Sequence, residues 1–474
     1  MSERLRPSDL ALLGVDTSRT PMHNATLEIF DPADSGFDYD ALIAHIEDRI
    51  TFVPRYRQHI RRVPGRLANP VWVDDRDFDL GYHVRRSALP RPGSVNQLRE
   101  LTARIMSRRL DPSRPLWEAY FVEGLEGGRV ALLSKSHQVL VDGISTVDLG
   151  QVLLDVDPGP RQVVHEDWRP ESEPSSAALM LEALAESARS PRTMLTTGLG
   201  TAEAAFRGAG ALTGRFGGMV GALSNRRATP DSPFNLDPSE QRRVVLVRTA
   251  LKDYRRVRRV HGGTVNDVIL TTLTGAIRAW LMTRGEPVGT GRKIKALVPM
   301  SVIDEELEPT SLGSQVIGHR LSLPVGESSP VVRLHQVSYA LKAHSETGRA
   351  VAADRIAGVA GFAPTTFHAL GSRVAAEESQ SVNLVITNVP GPQFPMFMAG
   401  AEMVETYPVP PLLPGFGVAV GVTSYDGGVY YGITADRDAL PDIDVLGQCV
   451  RDSLDELVDS ASDARPRAPR GRKK

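Results

Sequence analysis

The chain has 474 residues with 55 Lys+Arg and 57 Asp+Glu, which gives a formal net charge of −2. This near-neutral balance argues against a nucleic-acid-binding protein, because such proteins usually present a strongly basic face. The composition is globular, with 41% hydrophobic and 24% charged residues, and the single cysteine, Cys449, excludes an intramolecular disulfide and a multi-cysteine metal site.

The first block of the sequence, residues 1–157, predicts a domain of mixed helices and strands. Leu42, Ile43, Ile46 and Ile50 recur at helical spacing, and short apolar runs bounded by turn residues are typical of strands. Helices are predicted at 39–50, 94–109 and 143–154, and strands at 71–73, 82–84, 116–123 and 129–136.

The middle of the chain, residues 158–233, differs in composition. It begins with several prolines, continues with a predicted helix at 176–188, and is rich in Gly and Ala over 193–223. One interpretation is a flexible linker with one amphipathic helix; the other is a surface that inserts into lipid with its arginines near the headgroups. The glycines favour the linker, because glycine weakens helices.

A second block, residues 234–460, again alternates strands with helices and precedes a basic tail at 461–474. Gly262, Gly263 and Thr264 predict a turn and an N-cap before a buried helix at 265–281. Strands are predicted at 243–249, 294–299, 381–387, 417–424 and 428–433, and further helices at 250–260, 330–343 and 442–457. The two blocks together predict an α/β protein of two layered domains, and the tail is predicted to be disordered.

The sequence contains no signal for export or membrane insertion. Residues 1–7 are polar and charged, and no apolar stretch approaches the roughly 18 residues of a spanning helix. We therefore expect a cytoplasmic protein, with peripheral contact to the inner face of the membrane or to lipid bodies left open.

The densest chemical signal lies at 134–145, Ser-Lys-Ser-His-Gln-Val-Leu-Val-Asp-Gly-Ile-Ser. A polar cluster ends a buried strand, where polar groups are costly unless they are paired or used. A satisfied structural pair of His137 and Asp142 is one interpretation. The Asp142-Gly143 turn from strand to helix favours a functional one.

Together with motifs that follow in order along nearly the whole chain, this segment resembles the bacterial wax ester synthase/acyl-CoA:diacylglycerol acyltransferase (WS/DGAT) family. That family belongs to the superfamily of CoA-dependent acyltransferases and peptide-synthetase condensation domains. The other matching motifs include Pro21-Met22-His23, Trp72-Val73-Asp74-Asp75, Arg114-Pro115-Leu116-Trp117-Glu118, Asn266-Asp267-Val268, Val298-Pro299-Met300-Ser301, Asn388-Val389-Pro390-Gly391-Pro392 and Ser424-Tyr425-Asp426-Gly427.

The resemblance implies two CoA-dependent-acyltransferase-like domains with the active site at their interface. It implies acyl transfer from acyl-CoA to diacylglycerol or a long-chain alcohol, with triacylglycerol or wax ester as product and with no metal or redox cofactor. An apolar tunnel between the domains is expected for such substrates.

The resemblance also implies which residues form the site. The candidate catalytic residues are His137, Gln138, Asp142 and Gly143. The candidate substrate-binding residues are Pro115, Leu116, Trp117, Asn266 and Asp267. Packing alone is an alternative explanation for Trp117. Helix capping accounts equally well for Asn266 and Asp267. The basic residues at 252–259 are a solvated helix face or a contact for CoA phosphates or anionic lipid.

The chain departs from the family motif, His-His-x-x-x-Asp-Gly, at the position of the general base. Counting back from Asp142, His137 takes the first, supporting position and Gln138 takes that of the base. A Gln amide orients a hydroxyl but cannot accept its proton, and neighbouring side chains of an extended segment point to opposite sides. On the motif alone, activity is expected to be roughly 10²–10⁴-fold below that of a relative with both histidines.

Two rival functions follow from this departure and from the superfamily. One is a catalytically weak or inactive homologue that binds acyl chains or lipid. The other is an acyltransferase that takes its acyl group from a carrier protein, as condensation domains do; the long run of WS/DGAT motifs argues against it.

Overall fold

The computed structural model describes residues 3–33, 35–140, 149–159, 168–189, 232–302, 315–346, 368, 371–372 and 382–463. In the first half of the chain, the helices are α1 (Pro7–Val15), α2 (Tyr39–Arg49), α3 (Leu80–His83), α4 (Val95–Met106), α5 (Leu149–Leu153) and α6 (Ser176–Arg189). The strands are β1 (His23–Asp31), β2 (Gln58–Arg61), β3 (Val71–Asp74), β4 (Val84–Ala88), β5 (Trp117–Glu123) and β6 (Val130–His137).

The second half continues the alternation of helices and strands. Its helices are α7 (Leu251–His261), α8 (Val265–Thr283), α9 (Pro330–Glu346) and α10 (Ile443–Asp463). Its strands are β7 (Arg242–Ala250), β8 (Ile294–Val302), β9 (Gln315–Leu323), β10 (Leu384–Pro390), β11 (Phe397–Met398), β12 (Ala401–Val409), β13 (Val418–Tyr425) and β14 (Gly428–Asp436).

One predicted strand is wrong in its first part. Tyr82 and His83 belong to the short helix α3, and the strand begins only at Val84. The side chain of Asp79 caps this helix by accepting the backbone N–H of Gly81 at 2.9 Å. Such a cap stabilises a helical turn against the strand preference of the apolar residues around it.

Two six-stranded sheets organise the described residues. The first has the order β11-β12-β1-β6-β5-β4, and the second has the order β7-β14-β13-β10-β8-β9. The α/β fold class with two sheet-containing layers is thus confirmed, and the structural comparisons below agree with it. The domain bounds at 157 and 234 stay a prediction.

The first sheet combines strands from both halves of the sequence. Strand β12 pairs antiparallel with β1, so that Ala25 lies opposite Val409 and Leu27 opposite Tyr407. Strand β1 pairs on its other side with β6. Strand β1 therefore lies between β12, whose residues come about four hundred positions later in the sequence, and β6, the strand that carries the motif.

The second sheet has one face packed against helices and one face turned toward the first half. Ala296, Val298, Leu384 and Ile386 lie in the core beneath the helices. Leu297 and Val385, which alternate with them, cluster instead with residues such as Met22 of the first half. Helix α8 begins with a capping box of Thr264 and Asp267. Within the described ranges, no helix combines the length and the apolar character needed to cross a bilayer.

Candidate active site

The site is built on β1 and β6, whose pairing separates two sets of polar residues. His23 lies opposite His137 and Asn24 lies opposite Ser136. Because side chains alternate along a strand and paired residues share a face, His23, Lys135 and His137 lie on one face of the sheet. Asn24, Thr26, Ser134 and Ser136 lie on the other face.

The histidine face packs on the C-terminal end of α4. His23 Nε2 donates to the Met106 carbonyl at 3.0 Å, and Lys135 Nζ donates to the carbonyls of Ile105 at 3.2 Å and Arg108 at 2.5 Å. Burial lowers the pKa of Lys135 to about 8. These donors bind carbonyls at and just beyond the C-terminal end of α4, so this face stabilises the fold.

His137 belongs to this structural face. Its ring Nδ1 accepts the backbone N–H of Val139 at 3.1 Å, which places the proton of the neutral ring on Nε2. Nε2 lies 4.0 Å from Asp16 Oδ2. Burial, more strongly than the opposing effect of Asp16, lowers the pKa of His137 to about 4. In this tautomer Nε2 carries the proton and the lone pair of Nδ1 is engaged, so the ring has no free lone pair for a substrate proton.

Gln138 is the first residue after β6, where the strand pairing with β1 ends. Its backbone N–H donates to the Met22 carbonyl at 3.0 Å, which extends the pairing of β1 and β6 by one residue. Gln138 is the first residue of a 3₁₀ turn, Gln138–Leu140, that follows β6 directly. Gln138 is buried, and neither its Oε1 nor its Nε2 has a hydrogen-bond partner among the residues that the structure describes.

A small cavity of about 20 Å³ lies on this second face. Its described lining comprises Asn24, Ala25, Thr26, Ser134, Ser136, His368 and Pro408, Val409 and Pro410. Within the described part of the chain, three of its polar groups lack hydrogen-bond partners: the Asn24 amide, Ser134 Oγ and His368 Nε2. Because a cavity of this size holds one water molecule, it also fits one hydroxyl oxygen.

His368 reaches this cavity from the second half of the chain. Its Nδ1 lies 2.9 Å from Thr387 Oγ1 on β10. Nearby Gly371 approaches the same sheet so closely that an added Cβ would lie 3.1 Å from Thr387 Cγ2. Thr387 and Val385 are two residues apart on β10, so their side chains share a face of the strand. His368 is therefore held on the face of the second sheet that meets the first half.

Sequence reasoning did not identify Asn24 or His368 as site residues. Asn24 directly follows the Pro21-Met22-His23 motif, and this position was the signal in the sequence that pointed to a site residue. A lone histidine such as His368 carries no local signal, since only the folded chain brings it to β1 and β6.

An apolar cluster adjoins this arrangement. It consists of the buried residues Leu12, Met22, Leu297, Val382, Val385, Leu413 and Phe416, drawn from both halves of the chain. Met22 connects it to the motif, because the Met22 carbonyl accepts the N–H of Gln138. Asn24, which lines the polar cavity, follows Met22 by two residues, so the two features are neighbours at the start of β1.

The structure places the predicted residues Pro115, Leu116 and Trp117 in the supporting framework. Trp117 is buried, donates through Nε1 to the Tyr56 carbonyl at 2.7 Å and stacks on His83 at 4.7 Å between ring centroids. The Leu116 carbonyl accepts the backbone N–H of His137, and the Pro115 carbonyl accepts that of Trp117, both at 2.9 Å. These contacts hold the end of the motif strand; a substrate contact for these residues stays a prediction.

Asn266 and Asp267 lie at the start of α8. Asp267 accepts from the Thr264 backbone N–H at 2.9 Å and from Ser338 Oγ at 2.7 Å, which is a capping role. Asn266 Oδ1 accepts from Asn388 Nδ2 at 2.6 Å. No hydrogen bond or ion pair among the described residues joins this pair to His137 or Gln138, so their convergence on one cavity stays a prediction.

Other predictions fall outside the described residues. Asp142 and Gly143 belong to the undescribed residues 141–148, as does the predicted helix before Leu149. The Gly/Ala-rich segment at 193–223 and the basic tail beyond residue 463 are also outside. The basic cluster is described: Lys252, Arg255, Arg256, Arg258 and Arg259 are exposed on α7.

Comparison with known proteins identifies relatives over both halves. Residues 5–269 match the wax ester synthase/diacylglycerol acyltransferase catalytic domain, and residues 312–458 match the WS/DGAT C-terminal domain. A probable diacylglycerol O-acyltransferase of Mycobacterium tuberculosis, Tgs2, is 30% identical over 467 residues, covering 96% of this chain and 98% of the relative. A second, Tgs3, is 42% identical over 261 residues, covering 54% of this chain and 96% of the relative.

Solved structures share the fold. The wax ester synthase/diacylglycerol acyltransferase of Marinobacter aquaeolei VT8 superposes with a TM-score of 0.64 at 24% identity, covering 97% of this chain and 100% of that one. The first condensation domain of the calcium-dependent antibiotic synthetase superposes with a TM-score of 0.55 at 14% identity, covering 97% of each chain. At these identities the likeness concerns the fold alone.

Proposed function

The chain belongs to the wax ester synthase/diacylglycerol acyltransferase family, and on this basis we propose that it transfers the acyl group of acyl-CoA to the free hydroxyl of diacylglycerol. Long-chain alcohols are the second acceptor class, with wax esters as products. Acyl-CoA enters as a substrate, and the exchange of a thioester for an ester requires no metal or redox cofactor.

The observation that carries the proposal is the face of β1 and β6 that Asn24 and Ser134 share, with Gln138 directly after the end of β6. Their buried polar atoms lack hydrogen-bond partners among the described residues, and they lie beside the apolar cluster around Met22. Most buried polar groups in proteins are hydrogen-bonded, so such a group of unpaired atoms favours a site that a ligand completes. A hydroxyl on a long apolar molecule combines the two kinds of contact that this face offers.

The residues of the chain have distinct roles in this reaction. The acceptor oxygen attacks the thioester carbonyl, the C–S bond breaks, and the hydroxyl proton is finally transferred to the CoA sulfur. Gln138 orients the hydroxyl or donates an N–H to the oxyanion. His137 supports the strand end, because its Nδ1 is engaged with Val139.

Contact with a lipid surface is part of the proposal, because diacylglycerol partitions into bilayers. The exposed basic residues of α7 are suited to anionic headgroups or to the phosphates of CoA, and the basic tail adds charge at the C-terminal end. This favours a cytoplasmic protein that attaches peripherally to the inner face of the membrane or to lipid bodies.

A transfer assay with purified protein tests the proposed function. Labelled acyl-CoA is incubated with dioctanoylglycerol or with a long-chain alcohol, and the labelled ester and the released CoA thiol are measured together. We expect the two to appear in equal amounts. Acyl-CoA binding without ester formation would instead identify a non-catalytic homologue, and turnover only with an acyl carrier protein would identify a condensation-type donor.

A further inference from the structure

The cavity on the second face of β1 and β6 brings together polar groups from both halves of the chain. The Asn24 amide, Ser134 Oγ and His368 Nε2 line it and lack hydrogen-bond partners in the described part of the chain. Asn24 and His368 are themselves buried, at 7% and 7% exposure. Three such groups around a space for one oxygen atom indicate an oxygen-bearing group that bonds to all of them.

We propose, on the basis of the acyl transfer proposed above, that the acceptor hydroxyl binds in this cavity and that His368 Nε2 removes its proton. His368 then supplies the base that the motif lacks at Gln138. The residue comes from the second half of the chain and lies more than two hundred positions from the motif.

The contact with Thr387 orients the ring of His368 for proton transfer at Nε2. His368 Nδ1 lies 2.9 Å from Thr387 Oγ1, and an Nδ1–H donated to that oxygen leaves the lone pair of Nε2 free. Thr387 lies on a central strand of the second sheet, flanked by β13 and β8. The hydrogen bond therefore fixes the ring on a rigid element, as general-base catalysis requires.

The surroundings keep the ring neutral, because burial disfavours its charged form. Burial lowers the pKa of His368 to about 3, and the Val422 carbonyl opposes this effect. The described residues that line the cavity are uncharged: Asn24, Ala25, Thr26, Ser134, Ser136, Pro408, Val409 and Pro410. Lys135, His23 and His137 lie on the opposite face of the strand pair.

The hydroxyl proton moves to Nε2 as the oxygen attacks the thioester carbon, which forms an oxyanion beside an imidazolium. Their attraction favours the charged ring and offsets its low resting pKa. The oxyanion then collapses, the C–S bond breaks, and Nε2–H gives its proton to the thiolate sulfur. The products are the ester and CoA thiol, and His368 is neutral again.

Gln138 provides an internal control for this assignment. Gln138 lies two residues after Ser136, which lines the cavity, and so within roughly 7 Å of it along the chain. A histidine at position 138 would therefore approach the same hydroxyl from the motif strand. If His368 is the base, introducing that histidine replaces it.

The test compares His368→Gln with the double variant His368→Gln/Gln138→His. Gln at position 368 accepts a hydrogen bond but not a proton, so we expect kcat to fall about 10²–10⁴-fold with little change in KM. The second substitution restores at least about tenfold of the lost rate. His335→Gln makes the same change at an exposed histidine of α9 and leaves the rate unchanged. Urea unfolding establishes that the variants are folded.

A second measurement separates this inference from the proposed function. In protein with isotope-labelled histidine nitrogens, the Nε2 resonance that disappears in His368→Gln is assigned to His368, and dioctanoylglycerol or a long-chain alcohol is added. We expect the resonance to shift. An unshifted resonance shows a cavity that holds only a structural water, which overturns the inference, as does a folded His368→Gln variant within about threefold of the native rate.

If the native chain transfers no acyl group from any donor, the proposed function fails and the proton-transfer step with it. The resonance measurement then decides by itself whether the hydroxyl binds in the cavity.

Discussion

The ring Nδ1 of His137 accepts the backbone N–H of Val139 at a distance of 3.1 Å. This bond closes the turn that follows the motif strand and commits the ring to a structural role. It also explains why the histidine of the motif is not free to replace the missing second one.

His137→Ala should reduce stability more than it changes proton transfer. The substitution leaves the N–H of Val139 without a partner in a buried position, which costs about 1–3 kcal/mol. His137→Asn is the matched control, because its Oδ1 can accept the same N–H. Urea unfolding should show a clear loss for Ala and a smaller loss for Asn. Equal losses would show that the bond to Val139 contributes little.

The stability of the fold should fall as the pH decreases below about 6.5. Burial lowers the pKa of His137 from 6.5 to about 4 and that of His368 from 6.5 to about 3. The unfolded chain therefore binds protons between these values and 6.5 while the folded chain does not. Each histidine contributes up to about 1.4 kcal/mol per pH unit in that window, and nothing above it.

Urea unfolding of the native chain and of His137→Asn at several pH values between 5 and 8 measures this slope. The variant should lose the contribution of one histidine below pH 6.5 and keep the native slope above it. Parallel curves at all pH values would mean that His137 has its ordinary pKa in the folded state.

Gln138→His should add a rate component that the native chain lacks. A histidine at this position loses activity as the pH falls through its pKa, which lies at or below the ordinary value of about 6.5. The native rate should show no such limb near neutrality, because the pKa of His368 is about 3.

Gln138→Ala is the matched variant for that comparison. It should cost only the hydrogen bond of the amide, a few-fold in rate. The profile of kcat/KM against pH for the three proteins provides the measurement. A native limb near pH 6.5 that persists in Gln138→Ala would require a different base.

Gly432→Ala should destabilise the fold strongly. An added Cβ at this position on β14 would lie 1.7 Å from the Pro408 carbonyl oxygen of β12, the strand that joins the second half to the first sheet. Overpacking of this kind costs about 1–3 kcal/mol or more. Gly14→Ala, where nothing lies within 4 Å, is the control and should be neutral or mildly stabilising, because alanine favours the helix α1 more than glycine does. Thermal unfolding decides, and a native-like melting point for Gly432→Ala would show that β12 is free to move away.

Binding to anionic vesicles should be peripheral and sensitive to salt. The exposed residues Lys252, Arg255 and Arg259 of α7 are expected to contribute up to about 1 kcal/mol each near such a surface. Replacing the three by Gln should weaken vesicle flotation, and so should added salt. Replacing the exposed residues Arg62, Arg76 and Arg104 by Gln controls for net charge. Flotation that ignores salt, or equal effects of both sets, would contradict attachment through α7.

Local signals in the sequence were sufficient for most helices and for several strands. Thr264 and Asp267 form the capping box expected from their spacing, and the buried helix that follows extends to Thr283. The strand predicted at 116–123 begins one residue later, at Trp117. Such elements depend on neighbours within a few positions, whose capping and periodicity can be read directly from the order of residues.

The order of motifs also established the family, and the departure at Gln138 was visible without a structure. The sequence comparison confirms the family through residues 5–269 and 312–458. Motifs are sufficient to identify a family because they consist of residue types at fixed spacings, which can be recognised without knowing what those residues contact.

The tertiary structure alone decided the arrangement of the site. Strands β1 and β12 were not predicted, and their partners lie hundreds of residues apart, as with Ala25 and Val409. The orientation of the His137 ring and the approach of His368 to Ser134 likewise depend on contacts that form only when both sheets are in place. Such contacts gain free energy from burial and pairing between distant segments, and no local pattern of residues records them.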